Sequence, residues 1–344
     1  MAPARSIRLL LILVSIGMAA LIAGPSPAHA QDARFVRIGT GPIGGTYFPI
    51  GGLIANIISG PPGAMACDAG GSCGVPGLIA MAISTQGSAA NVRDLGTATI
   101  DLALSQADVA HDAFEGAGAY AGKPVRSLRS IANLFTEAVH VVVGRDAGIE
   151  GVGRLKGKRV SLGETGSGTL PTAKAVLRGY GLEIKDIKAV YEKLGRSADL
   201  LGAGEIDALF MVGGVPVAAI ASLAERAPIA LVPITGKGAE PILKAQPFYH
   251  PVTIPEEAYQ GVRGAHTIGV SAQLLVTAAL PDELVYEITR ALWNPSNRKL
   301  LDTGHPTGHL IRRETALDGL AVPLHPGAER YYKENPMPPT AERR

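Results

Sequence analysis

The chain has 344 residues, 47% of them apolar and 18% charged, with a formal net charge of +2. So neutral a balance, with few aromatics and no long lysine or arginine run, excludes a nucleic-acid or anionic-membrane binder built on charge. Only two cysteines occur, Cys67 and Cys73, without the second pair or nearby histidine that a thiolate metal site requires.

The first thirty residues carry the pattern of a cleavable export signal. Arg5 and Arg8 precede an apolar run from Leu9 to Ala23, and Ala28-His29-Ala30 gives a small-x-small cleavage site after Ala30. A periplasmic location is therefore expected. In that oxidising compartment two cysteines this close read as a disulfide closing a surface loop. About 310 residues remain, enough for two domains at roughly 150 residues each.

In chain order, short apolar runs alternate with helical patterns, as in an α/β protein with mostly parallel sheets. Val36–Gly39 is a strand. A helix runs from about Tyr47 to Ser59, with Ile50, Leu53, Ile54, Ile57 and Ile58 on one face and Thr46 as its cap. Leu78–Ser84 is expected as a second, buried strand and Ile100–Ser105 as a third, handing over to a helix near Gln106. The pattern restarts near Val141. Strands are expected at Arg159–Leu162, Ile187–Tyr191, Ala208–Val212 and Ile229–Pro233, with helices from Thr169, from Ser197 and one opened by Gly213-Gly214-Val215-Pro216 with the proline near its first turn. A Pro/Gly-rich stretch, 247–264, precedes an apolar segment, Ala265–Val276. A helix after Pro281 carries Leu284, Ile288 and Leu292 on one face. The simplest architecture has lobe 1 from 31–143 plus 263–344 and an inserted lobe 2, 144–262. Ligands of open α/β sheets sit beyond the carboxyl ends of strands, so two facing lobes make a hinged cleft.

Three strand-to-helix turns share one design: Gly44-Gly45-Thr46, Gln86-Gly87-Ser88 and Gly166-Ser167-Gly168-Thr169. Each places glycine N–H groups and a hydroxyl at a helix N-terminus, where unpaired donors and the dipole favour an anion. One such turn is ordinary capping; three, drawn from two lobes, point to a shared carboxylate-bearing ligand. Familiar decoys fail. Gly39-x-Gly41-x-x-Gly44 follows a strand, but the next strand ends at Ser84-Thr85 without the acid that holds a ribose. Gly163 and Gly168 have P-loop spacing with Thr169 where lysine belongs, and Thr165 stands where a nucleophile elbow needs glycine. His305 and His309 flank Pro306 and Gly308, a poor setting for a zinc helix. Glu137 and His140, beside a hinge strand, either line the cleft or are ordinary buried polar groups.

Taken in order, the motifs resemble the TAXI branch of solute receptors serving tripartite ATP-independent periplasmic (TRAP) transporters. They are Ile38-Gly-Thr-Gly with Gly44-Gly-Thr-Tyr47, Ser84-Thr-Gln-Gly-Ser88 with Asn91, Ser105-Gln-Ala-Asp-Val109, Leu155-Lys-Gly-Lys-Arg-Val160, Gly166-Ser-Gly-Thr169 and Pro323-Leu-His-Pro-Gly-Ala-Glu-Arg-Tyr-Tyr332. The resemblance implies a two-lobed periplasmic-binding-protein fold, a small carboxylate ligand of glutamate-like or 2-oxoglutarate-like type, and an integral-membrane TRAP permease as partner. Carried onto this sequence, it implies ligand contacts from Gly45, Thr46, Tyr47, Gln86, Gly87, Ser88 and Gln106 in lobe 1. Ser167, Gly168, Thr169, Gly213, Gly214 and Val215 would answer from lobe 2, with Asn91, Glu137 and His140 as further candidates. No catalytic residue, cofactor, metal or nucleic acid is expected, and a monomer is. Two rival readings are an exported hydrolase using Ser167 or Ser88, and a receptor feeding a sensor.

Overall fold

The computed structural model describes residues 33–337; the expected export signal and its cleavage site lie outside them. In the first part of the chain, strand β1 (Arg34–Gly39) is followed by helix α1 (Tyr47–Ile58), a strand pair β2 (Ser59–Gly60) and β3 (Val75–Pro76), and strand β4 (Leu78–Ile83). Helix α2 (Ser88–Gly96), strand β5 (Leu102–Gln106) and helix α3 (Ala107–Glu115) come next. Helix α1 forms as its periodicity dictates: Ile50, Ile54, Ile57 and Ile58 are each at most 1% exposed. Burying each such side chain contributes roughly 1.5–3 kcal/mol. Thr46 does not cap it; the hydroxyl is used elsewhere, as described below. Strand β4 is an edge strand rather than a buried one, with Met81 exposed, because β1 pairs it on one side only.

The middle of the chain builds the second half. Strand β7 (Arg159–Ser161), helix α4 (Thr169–Gly179), strand β8 (Lys188–Val190), helix α5 (Leu194–Gly202) and strand β9 (Ala208–Gly213) alternate, followed by helix α6 (Ala218–Arg226) and strand β10 (Ile229–Leu231). Helix α5 begins at Leu194, earlier than the expected Ser197. Helix α6 begins at Ala218, beyond the Gly213–Pro216 turn expected to open it, and the Val215–Pro216 peptide in that turn is cis. Strand β11 (Tyr249–Ile254) lies in the Pro/Gly-rich stretch and helix α7 (Glu240–Ala245) just before it, where the sequence pattern shows neither.

Two long strands tie the halves together. Strand β6 (Leu128–Gly144) pairs with strand β12 (Ala265–Thr277) over most of its length, then with β9 from Ala138 onward. The sheet order is β4-β1-β5-β12-β6-β9-β7-β8, with β10 beside β6 and β11 beside β12. Outer strands of each half pair in parallel, while the crossing strands run antiparallel to their neighbours. Helices α8 (Asp282–Leu292), α9 (Arg298–Gly304) and α10 (Pro326–Glu334) return to the first half. There Leu284, Ile288 and Leu292 pack into the core of Ile50, Ile54 and Leu274.

Cys67 and Cys73 are joined in a disulfide, and the β2–β3 pair closes the base of the same loop. The loop is largely exposed, and neither cysteine lines the cleft described below. Chain entropy for so short a loop gives about 2 kcal/mol. A Cys67→Ser/Cys73→Ser double variant is expected to lose no more than about that amount in urea denaturation while keeping the native circular dichroism spectrum.

Candidate functional site

Helices α1, α2 and α4 all begin at one cleft between the halves. Gly45, Thr46, Tyr47, Gln86, Gly87, Ser88 and Gln106 line it from the first half, and Ser167, Gly168 and Thr169 line it from the second. The three glycine turns therefore face one another. First-turn N–H groups lack intrahelical partners, so each helix start brings donors to this space. The halves are closed on each other. Ala90 N–H donates to Gly166 O at 2.9 Å, and Ala219 N–H donates to Gly44 O at 3.1 Å. Thr46 Oγ1 donates to Gly214 O at 2.9 Å, which is where its expected capping hydroxyl goes. The cavity left between them measures about 50 Å³.

Gln106 is the most exacting group on the wall. Its residue is 2% exposed, and its Oε1 and Nε2 are both buried without a hydrogen-bond partner. Such an amide costs the full desolvation of each unpaired atom, roughly 1–3 kcal/mol apiece. A Cβ placed on Gly168 would stand 1.5 Å from Gln106 Oε1 and 2.7 Å from Ser88 Oγ. Glycine is thus required there by the approach of the opposite wall, since the backbone itself is right-handed helical at φ −76°.

Tyr47 OH donates to Glu137 Oε2 at 2.6 Å, with both groups buried in the cleft wall. Burial pushes the Glu137 carboxyl well above the ordinary carboxylate range, more than the Tyr47 hydrogen bond lowers it. A carboxyl biased in this way toward its protonated form can, when protonated, donate a hydrogen bond as well as accept one. Glu164, also on the wall, is raised by burial and lowered by Lys193 and by a hydrogen bond from Gln86. With Glu192, the charged side chains lining the described cleft are all acidic. Neither Glu164 nor Glu192 was singled out by sequence reasoning. Glu164 was legible, since it lies inside the Gly163–Thr169 turn itself. Leu194, Phe210 and Met211 complete an apolar side of the wall, the last two near the carboxyl end of β9.

The remaining candidates sit elsewhere. Gly213, Gly214 and Val215 are not on the cleft wall. Gly213 packs against Met211 and Val217, Gly214 is engaged with Thr46 and Thr307, and β9 presents Met211 and Val212 in their place. Asn91 is a structural tie: its Nδ2 donates to Thr40 O and Leu104 O at 2.6 and 2.7 Å, and its Oδ1 accepts from Thr85 Oγ1. His140 is buried in the second half, with Nδ1 directed at Ala138 O (3.0 Å) and Met211 O (3.3 Å), and Nε2 at Tyr259 OH, 2.8 Å away. The serines carry local duties. Ser167 Oγ donates to Glu164 O and accepts from Leu170 N–H, while Ser88 Oγ accepts from Gln106 N–H. Arg93 pairs with Asp94 at the surface, and among the described residues no group of three or more His, Cys, Asp or Glu is placed to hold a metal ion.

Two α/β halves joined by shared strands and closing on a polar cleft make a two-lobed periplasmic-binding-protein-like fold. A structure of PhnD1 from Prochlorococcus marinus, in complex with methylphosphonate, aligns over 88% of this chain and 98% of its own at 14% identity and a TM-score of 0.50. The periplasmic aliphatic sulphonate binding protein SsuA from Escherichia coli aligns over 90% of this chain and 82% of its own, at 14% identity and a TM-score of 0.42. A TctC solute binding protein from Polaromonas aligns over 78% and 88%, at 19% identity and a TM-score of 0.42. The chain belongs to the NMT1-like family, whose model matches residues 38–335. No helix among the described residues is long and apolar enough to cross a membrane.

Burial lowers the His140 pKa from 6.5 to about 4, so the ring is neutral in the folded protein. A histidine depressed in this way contributes stability above its unfolded pKa that is lost as pH falls from about 6.5 to about 4. His140→Gln is expected to shrink the stability loss between pH 7 and pH 4 by up to about 3 kcal/mol, read from denaturation midpoints at the two pH values.

Proposed function

We propose that this protein is the periplasmic receptor of a TAXI-type TRAP transporter, which captures a small carboxylate between its lobes and delivers it to an integral-membrane permease. The lobes are taken as residues 31–143 with 263–344, and 144–262. The observation that carries the reading is the meeting of three helix N-termini from both halves around the unpartnered amide of Gln106. Ligand oxygens receive hydrogen bonds from the first-turn N–H groups not already engaged within the protein and from Gln106 Nε2, and the Glu137 carboxyl, when protonated, suits the same role. Each hydrogen bond to a charged oxygen contributes roughly 1.5–3 kcal/mol once water is excluded. Glu164 and Glu192 complement the ammonium of a glutamate-like ligand; a 2-oxoglutarate-like one meets two further acids there. By the usual measure about 50 Å³ admits only a few waters, so a C4–C5 acid requires the lobes to stand slightly further apart than here.

Ligand stabilises the closed arrangement because donors from both lobes reach it only then. The hydrolase reading is weaker, because Ser88 and Ser167 are each held in local hydrogen bonds and the described histidines lie off the cleft wall. In a thermal-shift screen of the mature chain, C4–C5 dicarboxylates or acidic amino acids are expected to raise the melting temperature; a response to neutral sugars alone overturns the reading. Gln106→Leu is expected to lower affinity at least tenfold, about 1.4 kcal/mol, with unchanged or increased stability of the unliganded protein. Gly168→Val puts bulk against Gln106 across the cleft. It is expected to keep the fold but abolish the ligand-induced drop in radius of gyration seen by X-ray scattering.

A further inference from the structure

Ser167 borders a second cavity, of about 450 Å³, also walled by both halves. Asp108 and Asp112 face it from α3, Lys174 and Arg178 from α4, Gln246 from the end of α7 and Tyr249 from the start of β11. Asp108 is 5% exposed. Its Oδ2 accepts a 2.6 Å hydrogen bond from Tyr249 OH, but its Oδ1 is buried with no partner. Gln246 Oε1, on the same wall, is buried and unpartnered too.

Two buried acceptor oxygens without hydrogens, one of them on a carboxyl group, call for a donor-rich cation. The cluster lacks a third ligand of the kind that would favour a metal, since no group of three or more His, Cys, Asp or Glu among the described residues is placed to hold one. We propose that this cavity is a second ligand site, distinct from the cleft, which takes the primary ammonium group of a compact organic amine. The ammonium sits between Asp108 Oδ1 and Gln246 Oε1, with Asp112 one helical turn beyond. Burial raises Asp108 to about 6, which leaves it ionised above neutral pH. Lys174 and Arg178, a turn apart on α4 and outside every ion pair of the described residues, bias an amine with an anionic tail to lie toward them. Because the walls come from both halves, an amine held there favours closure whatever the cleft binds.

The test is titration calorimetry of the mature chain at pH 7.5 with n-propylammonium, and with tetramethylammonium as a cation that has charge but no N–H donors. Saturable binding of n-propylammonium with a Kd on the order of 1 mM is expected, at least tenfold weaker for tetramethylammonium. Asp108→Asn preserves the shape and the Tyr249 hydrogen bond and is expected to weaken n-propylammonium at least tenfold; Gln246→Leu is a second variant expected to weaken it. Carboxylate binding in the cleft is expected to survive both, so failure here is distinguishable from failure of the receptor reading. Absence of saturable binding, equal binding by Asp108→Asn, or equal binding of tetramethylammonium overturns the proposal.

Discussion

Where β6 passes from one half-sheet to the other, Glu137 is paired in register with Val270 of β12, and the next residue, Ala138, pairs with both β12 and β9. The two halves are thus joined through adjacent backbone strands whose hydrogen bonds continue across the junction. That constraint fixes the direction in which the halves face each other and sets the starts of α1, α2 and α4 on opposing walls of one cleft. Glu137 lies both at the junction and on the cleft wall, and burial there pushes its carboxyl well above the ordinary carboxylate range.

The cleft is polar without being cationic. Helix N-termini supply partial positive charge without the rotamer entropy and strong hydration of lysine. On the receptor reading proposed above, such a wall would hold an anion mainly by direction, through N–H groups fixed by the fold, rather than by net charge. On the same reading its acids would act as discriminators: Glu137, biased by burial toward its protonated form, could give or receive a hydrogen bond, while Glu164 and Glu192 would oppose a second negative end.

The glycine turns were legible in the sequence because glycine and hydroxyls directly follow apolar strands, and the structure brings all three together. So were the core helices, whose periodic isoleucines and leucines leave one packing solution. The long crossing strand β6 was not, since Asn133, Thr136, Glu137 and His140 interrupt its apolar run where it passes between solvent-shielded halves. Strand β11 hid behind Pro251, a residue tolerated because this strand lies at an edge. The turn at Gly213–Val215 looked like a fourth ligand loop, but its carbonyl serves the closed contact with Thr46. Asp108 lay unnoticed in an ordinary helix start, because burial of a single oxygen is a property of packing and leaves no local pattern.

Much of the seam between the halves is sewn with main-chain atoms: Ala90 N–H to Gly166 O, Ala219 N–H to Gly44 O, and the Gly214 carbonyl that receives the Thr46 hydroxyl. Main-chain groups are indifferent to which side chain hangs from them. Replacements at positions such as Gln86, Glu164 or Phe210 can therefore retune what is captured while the way the jaws shut is inherited intact, giving a scaffold whose recognition and mechanics diversify separately.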